Sequence, residues 1–287
     1  MSRMLIVGGT GNIGREVVSQ LAATGTRFRA MVRNPERAAL PPQAEVVRGD
    51  LTAPGSLDGC LEGIDVVFLV WTAPAAAIEP AVELIARHAR RVVLLSAPLK
   101  TDHPFFQQPN PSRARAELLE RAIGRSGLEL TCLRPGMFAL NARGWWSRQT
   151  RAGDVVRWPY LDVPTAPIHE ADVAAVAVRA LTEDGHGGAE YVLTGAEPLT
   201  HREQISTIGR AIDRPLRPEE MTPDEARREL PAIFGTPVVV EYLMDAWSAA
   251  AGRPAYVSPT FGELMGRPPR TFFEWATENA GAFRDEA

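Results

Sequence analysis

The chain opens on Met4-Leu5-Ile6-Val7-Gly8-Gly9-Thr10-Gly11-Asn12-Ile13-Gly14, a short apolar run that leads into four glycines. A helical pattern of apolar residues follows from 15 to 23. Gly9, Gly11 and Gly14 have G-x-G-x-x-G spacing, which lets a strand turn sharply and brings backbone close to a pyrophosphate at the start of a helix. The stretch therefore predicts a dinucleotide site. A glycine-rich turn that only packs a helix on a sheet is the alternative.

Composition narrows the class of protein. Of the 287 residues, 45% are hydrophobic and 23% are charged, as in ordinary globular proteins with a sizeable core. The net charge of −4, without a basic run, argues against a nucleic-acid partner. Cys60 and Cys132 have no metal-ligand spacing, so we expect free thiols, no metal and a reducing compartment. No apolar run has membrane-spanning length, and the first strand leaves no room for a signal peptide. We therefore expect a cytoplasmic monomer or homodimer.

Strands and helices alternate over the first half of the chain. The run Asp65-Val66-Val67-Phe68-Leu69-Val70 is almost continuously apolar, as in a parallel strand that is covered on both faces. Further strands are predicted at 27–32, 44–48, 91–96 and 128–133, with helices at 76–90 and 113–125. Such alternation predicts an α/β fold with a Rossmann-type doubly wound parallel sheet.

The rhythm changes beyond Pro135. Helices predominate, at 170–181, 202–212, 223–229 and 239–251, and short strands remain near Val155 and Tyr191. We predict an NAD(P)-binding Rossmann domain over residues 1–153. A smaller, mostly helical substrate-binding lobe is predicted over residues 154–287, interleaved with the first in a single globular unit. The lobe should lie over the carboxyl edge of the sheet, where ligands bind in such folds.

The end of the second strand indicates which dinucleotide binds. An NAD site usually has an acidic residue there for the ribose 2′-hydroxyl, whereas this chain has Val32 and Arg33. Arg33 can pair with a 2′-phosphate, with or without help from Arg37, so NADPH is favoured over NADH. Asp50 ends the third strand, where it can either accept from the adenine amine or cap the following turn.

Several motifs, taken together, resemble the NmrA-like atypical short-chain dehydrogenases/reductases. They are Gly-Gly-Thr-Gly-Asn-Ile-Gly at 8–14, Arg33-Asn34-Pro35, Gly49-Asp50-Leu51, Ser126-Gly127-Leu128, Leu133-Arg134-Pro135-Gly136, Ile168-His169-Glu170-Ala171-Asp172-Val173-Ala174, Leu193-Thr194-Gly195 and Gly266-Arg267-Pro268-Pro269-Arg270-Thr271-Phe272. The resemblance implies a Rossmann fold that binds NADP(H), with substrate held between the sheet edge and the C-terminal lobe. The expected cofactor contacts are Gly8, Thr10, Gly11, Asn12, Ile13, Arg33, Asp50, Leu51, Trp71, Thr72, Ser96 and Pro135.

One departure from the wider superfamily concerns its Tyr-x-x-x-Lys pair, in which the lysine lowers the pKa of a proton-donating tyrosine. The tyrosines of this chain are at 160, 191, 242 and 256, and none has a lysine four residues later. The expected pair falls near Ser112 and Ala116, and neither residue can substitute. A reductase with this sequence must obtain its proton elsewhere.

Two residues are candidates for a catalytic role. Ser96 ends the fifth strand, where the superfamily keeps a serine near the nicotinamide, and could hydrogen-bond a substrate oxygen. Its alternative role is to satisfy local backbone. His103 follows Asp102 in the next loop and could relay a proton near neutral pH, although a loop histidine is more often a surface residue.

The substrate wall is predicted from aromatic and flexible apolar residues near one edge of the sheet, together with Trp71. They are Phe105, Phe106, Met137, Phe138, Trp145 and Trp146. Such residues suit a flat, polycyclic or quinonoid ligand. The alternative is that they attach the lobe to the sheet.

Three functions remain open from the sequence. The first is an NADPH-dependent ketoreductase or quinone reductase of a polycyclic aromatic substrate, such as a polyketide of antibiotic biosynthesis. It would resemble the angucyclinone-reducing enzyme of simocyclinone biosynthesis, with the substrate's own phenol stabilising the alkoxide. The second is a non-catalytic NADP sensor of the NmrA type that binds a transcription factor. The third is an isomerase or dehydratase that uses NADP structurally.

Overall fold

A computed structural model describes residues 3–98 and 101–284, without the side chains of residues 111 and 112. The strands are β1 Met4–Val7, β2 Phe28–Val32, β3 Ala44–Arg48, β4 Val66–Val70, β5 Arg91–Leu95, β6 Glu129–Pro135, β7 Val155–Trp158, β8 Pro164–Thr165, β9 Glu190–Leu193, β10 Leu199–Thr200 and β11 Arg217–Glu220. The helices are α1 Asn12–Ala23, α2 Asp58–Leu61, α3 Ile78–His88, α4 Pro104–Gln107, α5 Pro111–Arg125, α6 Asn141–Ala152, α7 Glu170–Thr182, α8 His201–Ala211, α9 Pro223–Glu229, α10 Pro231–Phe234, α11 Pro237–Ala250, α12 Thr260–Met265 and α13 Phe272–Glu278. Among these described helices, none combines the length and apolar character needed to cross a bilayer.

The main sheet has seven strands in the order β3-β2-β1-β4-β5-β6-β9. Neighbouring strands from β3 to β6 are parallel, and Ile6 of β1 lies opposite Ala30 on one side and Phe68 on the other. The strand order reverses between β1 and β4, so the point where ligands bind in doubly wound folds lies at the carboxyl end of β1. The predicted Rossmann-type α/β fold is confirmed.

Two compact units share the chain. The first contains the sheet and comprises Met1–Ala97, Pro111–Pro135 and Glu170–Val192. The second comprises Pro98–Asn110, Gly136–His169 and Leu193–Ala287. This division differs from a single boundary at residue 153, because the chain passes between the units several times.

Helix α7 accounts for much of that difference. Most of its side chains are buried, and many are small, such as Ala171, Ala174 and Ala177. Small residues let α7 lie close to α1 in the first unit, where the Gln20 side-chain amide donates to the Ala171 carbonyl at 2.8 Å. The segment Glu190–Leu193 then adds β9 beside β6.

The second unit is built around tryptophans. Trp146, Trp158 and Trp247 are fully buried in its core. His201 lies among them, with its ring centroid 5.1 Å from that of Trp247 and Nδ1 3.0 Å from the Tyr160 carbonyl oxygen. Burial lowers the pKa of His201 to about 4, although the hydrogen bond to Tyr160 opposes that shift. The imidazole is therefore neutral in the folded protein at neutral pH.

Acid should destabilise the protein through His201. In the unfolded chain the His201 imidazole has a pKa of 6.5, whereas in the folded protein its pKa is about 4. Between these two pH values the imidazole is protonated in the unfolded chain and neutral in the folded protein. The free energy of unfolding should therefore fall by up to about 1.4 kcal/mol per pH unit as the pH drops through that window. Urea unfolding at pH 7 and pH 5 measures this loss in the wild type and in His201→Asn.

The loss should be smaller in His201→Asn. His186, whose pKa is also lowered by burial, is present in both proteins, so the difference between them isolates His201. Equal losses in the two proteins would show that the His201 imidazole is not held neutral by the fold.

Candidate functional site

The glycine turn brings helix and strand closer than side chains would allow. Gly8 has a φ of +91°, and a Cβ there would lie 3.0 Å from the Val70 Cβ. A Cβ on Gly14 would lie 2.0 Å from the Gly8 carbonyl oxygen. Only glycine fits these two positions, so the turn and the first turn of α1 are locked together as the sequence predicts.

The start of α1 suits an anion. Gly11 is the residue before the helix, and its N–H donates to the Gly8 carbonyl at 2.9 Å. Within the described residues, no side chain caps the N-terminus of α1. The first turn has no acidic residue, so its N–H groups and the helix dipole favour a phosphate. Thr10, Gly11 and Asn12 are exposed, whereas the Ile13 side chain is buried and leaves only its backbone available to a ligand.

Arg15 is a residue of this turn that the sequence reasoning missed. Its Nε donates to the Thr10 carbonyl at 2.8 Å, which holds an exposed guanidinium beside the glycines. A basic residue in the first turn of a helix after a glycine-rich loop was the available signal, because its side chain points back toward the helix start. Arg15 adds positive charge where the pyrophosphate would lie.

Arg33 and Asp50 follow β2 and β3. Arg33 is exposed, and no hydrogen bond or ion pair within residues 3–98 and 101–284 engages its guanidinium. Asp50 Oδ1 accepts from the Thr52 N–H and the Thr52 hydroxyl, both at 2.8 Å. These two bonds, with the charge of Arg33, lower the pKa of Asp50. Asp50 therefore caps the following turn. The Arg33 guanidinium is exposed at the end of β2 and is accessible to an anion.

The end of β4 differs from expectation. Trp71 is buried in the core of the first unit, and its indole Nε1 donates to the Ala73 carbonyl at 2.7 Å. The indole belongs to the same buried cluster as Leu51 and Leu69, which differs from the position in the aromatic wall that was predicted for it. The Leu51 side chain is likewise part of that core, whereas Thr72 is exposed.

A buried ion pair joins the ends of β5 and β6 to α5. The Arg134 side chain is fully buried, and its Nη1 and Nη2 donate to Oε1 and Oε2 of Glu120, each at 2.9 Å. Arg134 also donates to the Ala97 carbonyl at 2.9 Å and to Glu190 at 3.2 Å. Burial lowers the pKa of Arg134, but the bonds and charge of Glu120 outweigh that effect and raise it above its usual value.

Ser96 belongs to the same cluster. Its backbone N–H donates to the Leu133 carbonyl at 2.8 Å, and its hydroxyl donates to Oε1 of Glu120. The sequence left two roles open for the Ser96 hydroxyl, a hydrogen bond to a substrate oxygen or one to local backbone. Neither role included a bond to a carboxylate. The arginine at position 134 could have predicted this carboxylate, because an arginine in an apolar strand requires a buried acidic partner.

The neighbouring thiol is inert. Burial raises the pKa of Cys132 to about 12, with the negative charge of Glu120 as a further cause. Cys132 therefore remains a thiol at neutral pH and does not act as a nucleophile.

His103 has structural partners in the second unit. Its Nδ1 accepts from the Phe105 N–H at 3.3 Å and caps α4, while Nε2 lies 3.0 Å from the Pro254 carbonyl oxygen. A carbonyl oxygen only accepts, so Nε2 donates to Pro254 while Nδ1 accepts from Phe105. Both nitrogens are thereby occupied, so the proposed relay role would require these bonds to break.

A narrow depression lies beside His103. It has a volume of about 20 Å³, room for about one water molecule. Its lining consists of His103, Phe105, Phe106, Met137, Pro164, Thr165, Ala166, Thr194, Ala255 and Tyr256. The Phe106 ring packs edge-on against Phe105 at 4.9 Å and Tyr256 at 6.5 Å between centroids. Three of the predicted substrate residues, Phe105, Phe106 and Met137, are thus brought together.

The other predicted wall residues lie elsewhere. Trp146 is fully buried in the second unit's core, which differs from the substrate-facing position that was predicted for it. Trp145 stacks on Trp158 at 5.2 Å and borders a separate cavity of about 460 Å³ between α6 and α10. Phe138 forms a β-bridge to Ile168 and is partly buried. Large aromatic side chains bury more area in a core than along a wall, which explains where the tryptophans lie.

Comparison with known proteins assigns the family. The profile of the NAD(P)H-binding family matches residues 8–184, which includes the glycine turn and the strand ends described above. The chain belongs to this NAD(P)H-binding family. The predicted resemblance is thereby confirmed.

Two relatives match almost the whole chain. The (4-alkanoyl-5-oxo-2,5-dihydrofuran-3-yl)methyl phosphate reductase of Streptomyces griseus is 39% identical, over 99% of this chain and 100% of its own. The NAD(P)H azoreductase of Xenophilus azovorans is 30% identical, over 98% and 99% of the two chains. These names support the predicted class of NAD(P)H-dependent oxidoreductases, which is confirmed at that level.

A solved structure confirms the fold. The NADPH-dependent quinone oxidoreductase of Escherichia coli superposes with a TM-score of 0.79 at 22% identity, covering 96% of this chain and 98% of its own.

Proposed function

We propose that this protein is an NADPH-dependent reductase of conjugated acceptors whose reduced form is a stabilised anion. The observation that carries the proposal is the state of the Ser96 hydroxyl, which already donates its proton to Glu120. His103 is bonded on both nitrogens, so neither of the two catalytic candidates, Ser96 and His103, offers a free proton to a substrate. An acceptor that needs no strong acid fits this site best.

Conjugated acceptors meet that condition. When bound, NADPH would supply a hydride, that is, hydrogen with both bonding electrons, to an acceptor such as a quinone or a dicarbonyl-activated alkene. The negative charge then spreads over the acceptor's oxygens, and water supplies the proton afterwards. The Streptomyces griseus relative is named for a substrate whose ring double bond is conjugated with a ring carbonyl and an alkanoyl group. The same chemistry suits this chain.

The units have separate roles in this proposal. The first unit holds the dinucleotide at the start of α1 and at the strand ends. The second supplies apolar contacts to the substrate through Phe106, Met137 and Tyr256. A planar aromatic substrate, including a hydroxylated polyketide ketone, remains within this class because its own phenol can stabilise charge.

The preference for NADPH rests on Arg33. A free guanidinium at the end of β2 can form a charge-assisted bond with the 2′-phosphate. Arg33→Ala should weaken NADPH binding by about 1.5–3 kcal/mol and leave NADH binding nearly unchanged. Titration of each dinucleotide by fluorescence measures both affinities.

Arg27→Ala is the matched control, since Arg27 is also exposed and precedes β2 at the end opposite to Arg33. It should change neither affinity by more than about twofold if its charge is solvated. Equal losses of NADPH and NADH in Arg33→Ala would contradict the assignment of Arg33.

The acceptor class can be tested with a substrate panel. The protein should oxidise NADPH when offered quinones, alkylidene or alkenyl dicarbonyl compounds, and aromatic ketones with a neighbouring phenol. Simple aliphatic ketones should react poorly, because their alkoxide products need a strong acid and their small area gives little binding. Methylation of the neighbouring phenol should slow the ketone. NADPH absorbance and product mass provide the measurement.

Tyr256→Phe is the control for a hidden acid, because Tyr256 lines the depression. Its turnover should stay within about tenfold of wild type, below the 10²–10⁴ expected for an acid catalyst. Rapid reduction of aliphatic ketones that depends on Tyr256 would overturn the proposal. If NADP⁺ binds tightly, no acceptor is reduced and a transcription factor co-purifies, the protein is instead a sensor.

A further inference from the structure

We propose that Glu120 and Arg134 are positioning residues that fix Ser96 as a hydrogen-bond acceptor for the nicotinamide half of the dinucleotide. The inference rests on the proposed binding of NADPH and goes beyond it, because it assigns roles to two residues remote from the glycine turn. It also reverses the expected role of Ser96, which becomes an acceptor rather than a donor.

The direction of the Ser96 hydroxyl follows from its partner. A hydroxyl has one proton and two lone pairs, and an ionised carboxylate can only accept. Arg134 donates to both oxygens of Glu120 at 2.9 Å, a bidentate pairing made with a carboxylate. The Ser96 proton is therefore directed at Glu120 Oε1, and the lone pairs of Ser96 remain for a ligand.

The cluster is rigid because it is buried. The Arg134 side chain is 0% exposed and that of Glu120 is 16% exposed. Arg134 is held from further sides by the Ala97 carbonyl and by Glu190. Glu120 cannot turn away without breaking its bidentate pairing with Arg134, so the hydroxyl proton has a single stable direction.

The sequence position of Glu120 connects it with the missing pair. Ala116 and Glu120 lie four residues apart and therefore on the same side of α5. In the superfamily's Tyr-x-x-x-Lys pair, the lysine corresponds to Ala116 of this chain. The tyrosine corresponds to Ser112, whose side chain lies outside the described part of the structure. One turn further on, α5 carries a carboxylate that reaches Ser96.

The location of Ser96 indicates its ligand. Ser96 follows β5, beyond the point where the strand order reverses, and the second mononucleotide of a dinucleotide lies over this half of the sheet. The nicotinamide half offers two kinds of donor, the carboxamide N–H and the ribose hydroxyls. An acceptor at Ser96 is complementary to either of them.

A double-mutant cycle on NADPH affinity tests the proposal. Ser96→Ala should weaken NADPH binding about 3- to 10-fold, the effect of one hydrogen bond, and Ser96→Thr should restore it. Glu120→Gln should also weaken binding, because the amide N–H can turn the hydroxyl proton toward the ligand. In the Ser96→Ala background, Glu120→Gln should have no further effect, since it acts through Ser96.

Glu190→Gln is the matched control. It removes the other carboxylate from Arg134 without touching Ser96, so NADPH affinity should stay within about twofold of wild type. The proposal is overturned if Ser96→Ala binds NADPH as the wild type does. It is equally overturned if Glu120→Gln weakens binding by the same factor in both backgrounds, which is the result of a purely structural role. If Glu120→Gln does not fold, the Ser96→Ala and Ser96→Thr pair still decides.

The reduced 3-acetylpyridine analogue of NADPH distinguishes the two donors, because it lacks the carboxamide N–H. If Ser96→Ala weakens NADPH but not the analogue, the donor is the carboxamide, and equal losses identify a ribose hydroxyl. A wild type that binds NADPH but reduces no acceptor contradicts only the proposed reaction, since the binding cycle still reports on Ser96.

Discussion

The close approach of α1 to the first turn is the constraint on which the site depends. A helix can start this near a strand only if no side chain intervenes, and a Cβ on Gly14 would lie 2.0 Å from the Gly8 carbonyl oxygen. Because the contact is backbone against backbone, it cannot be relieved by a change of rotamer. It places the uncapped N–H groups of α1 at the carboxyl edge of β1, beside the reversal of strand order. That placement suits the phosphates of a dinucleotide.

A second constraint comes from the buried pair of Arg134 and Glu120. Removing Arg134 should cost about 3–5 kcal/mol, because Glu120 would lose its cationic partner. The pair joins α5 to β6, and Arg134 also reaches the end of β5 through Ala97. The same carboxylate takes the Ser96 proton. The Glu120 carboxylate therefore has two roles in our account. It pairs with the buried Arg134, and it accepts the proton that the Ser96 hydroxyl could otherwise donate to a substrate.

The sequence predicted those features that depend on local patterns. The strand Ala44–Arg48 and the helix Pro223–Glu229 have the predicted bounds, because alternating strands, helical spacing and proline are local signals. The glycine turn was predictable for the same reason. The membership of α7 and β9 in the first unit was not, because an alanine-rich helix and a short strand fit either unit until their partners are known.

Site residues differed in the same way. Arg33 was predicted from its position at a strand end, and its side chain is exposed there. The tryptophans were not, because apolar aromatic residues have the same sequence signature in a core as in a pocket, and Trp146 and Trp71 proved to be core. The bond between Ser96 and Glu120 joins residues from separate elements, so no periodicity reveals it. The arginine in β6 indicated that an acidic partner existed but not which one.

Transfer of deuterium tests the central claim most directly. NADPH deuterated at C4 of the nicotinamide should be mixed with the protein and an alkenyl dicarbonyl acceptor, and the product examined by mass spectrometry and NMR. Our account predicts one deuterium at the carbon β to the carbonyls, from one face of the nicotinamide only, and a solvent-derived hydrogen at the neighbouring carbon. An intact acceptor in the presence of tightly bound NADPH would contradict the assignment of this protein as a reductase of conjugated acceptors.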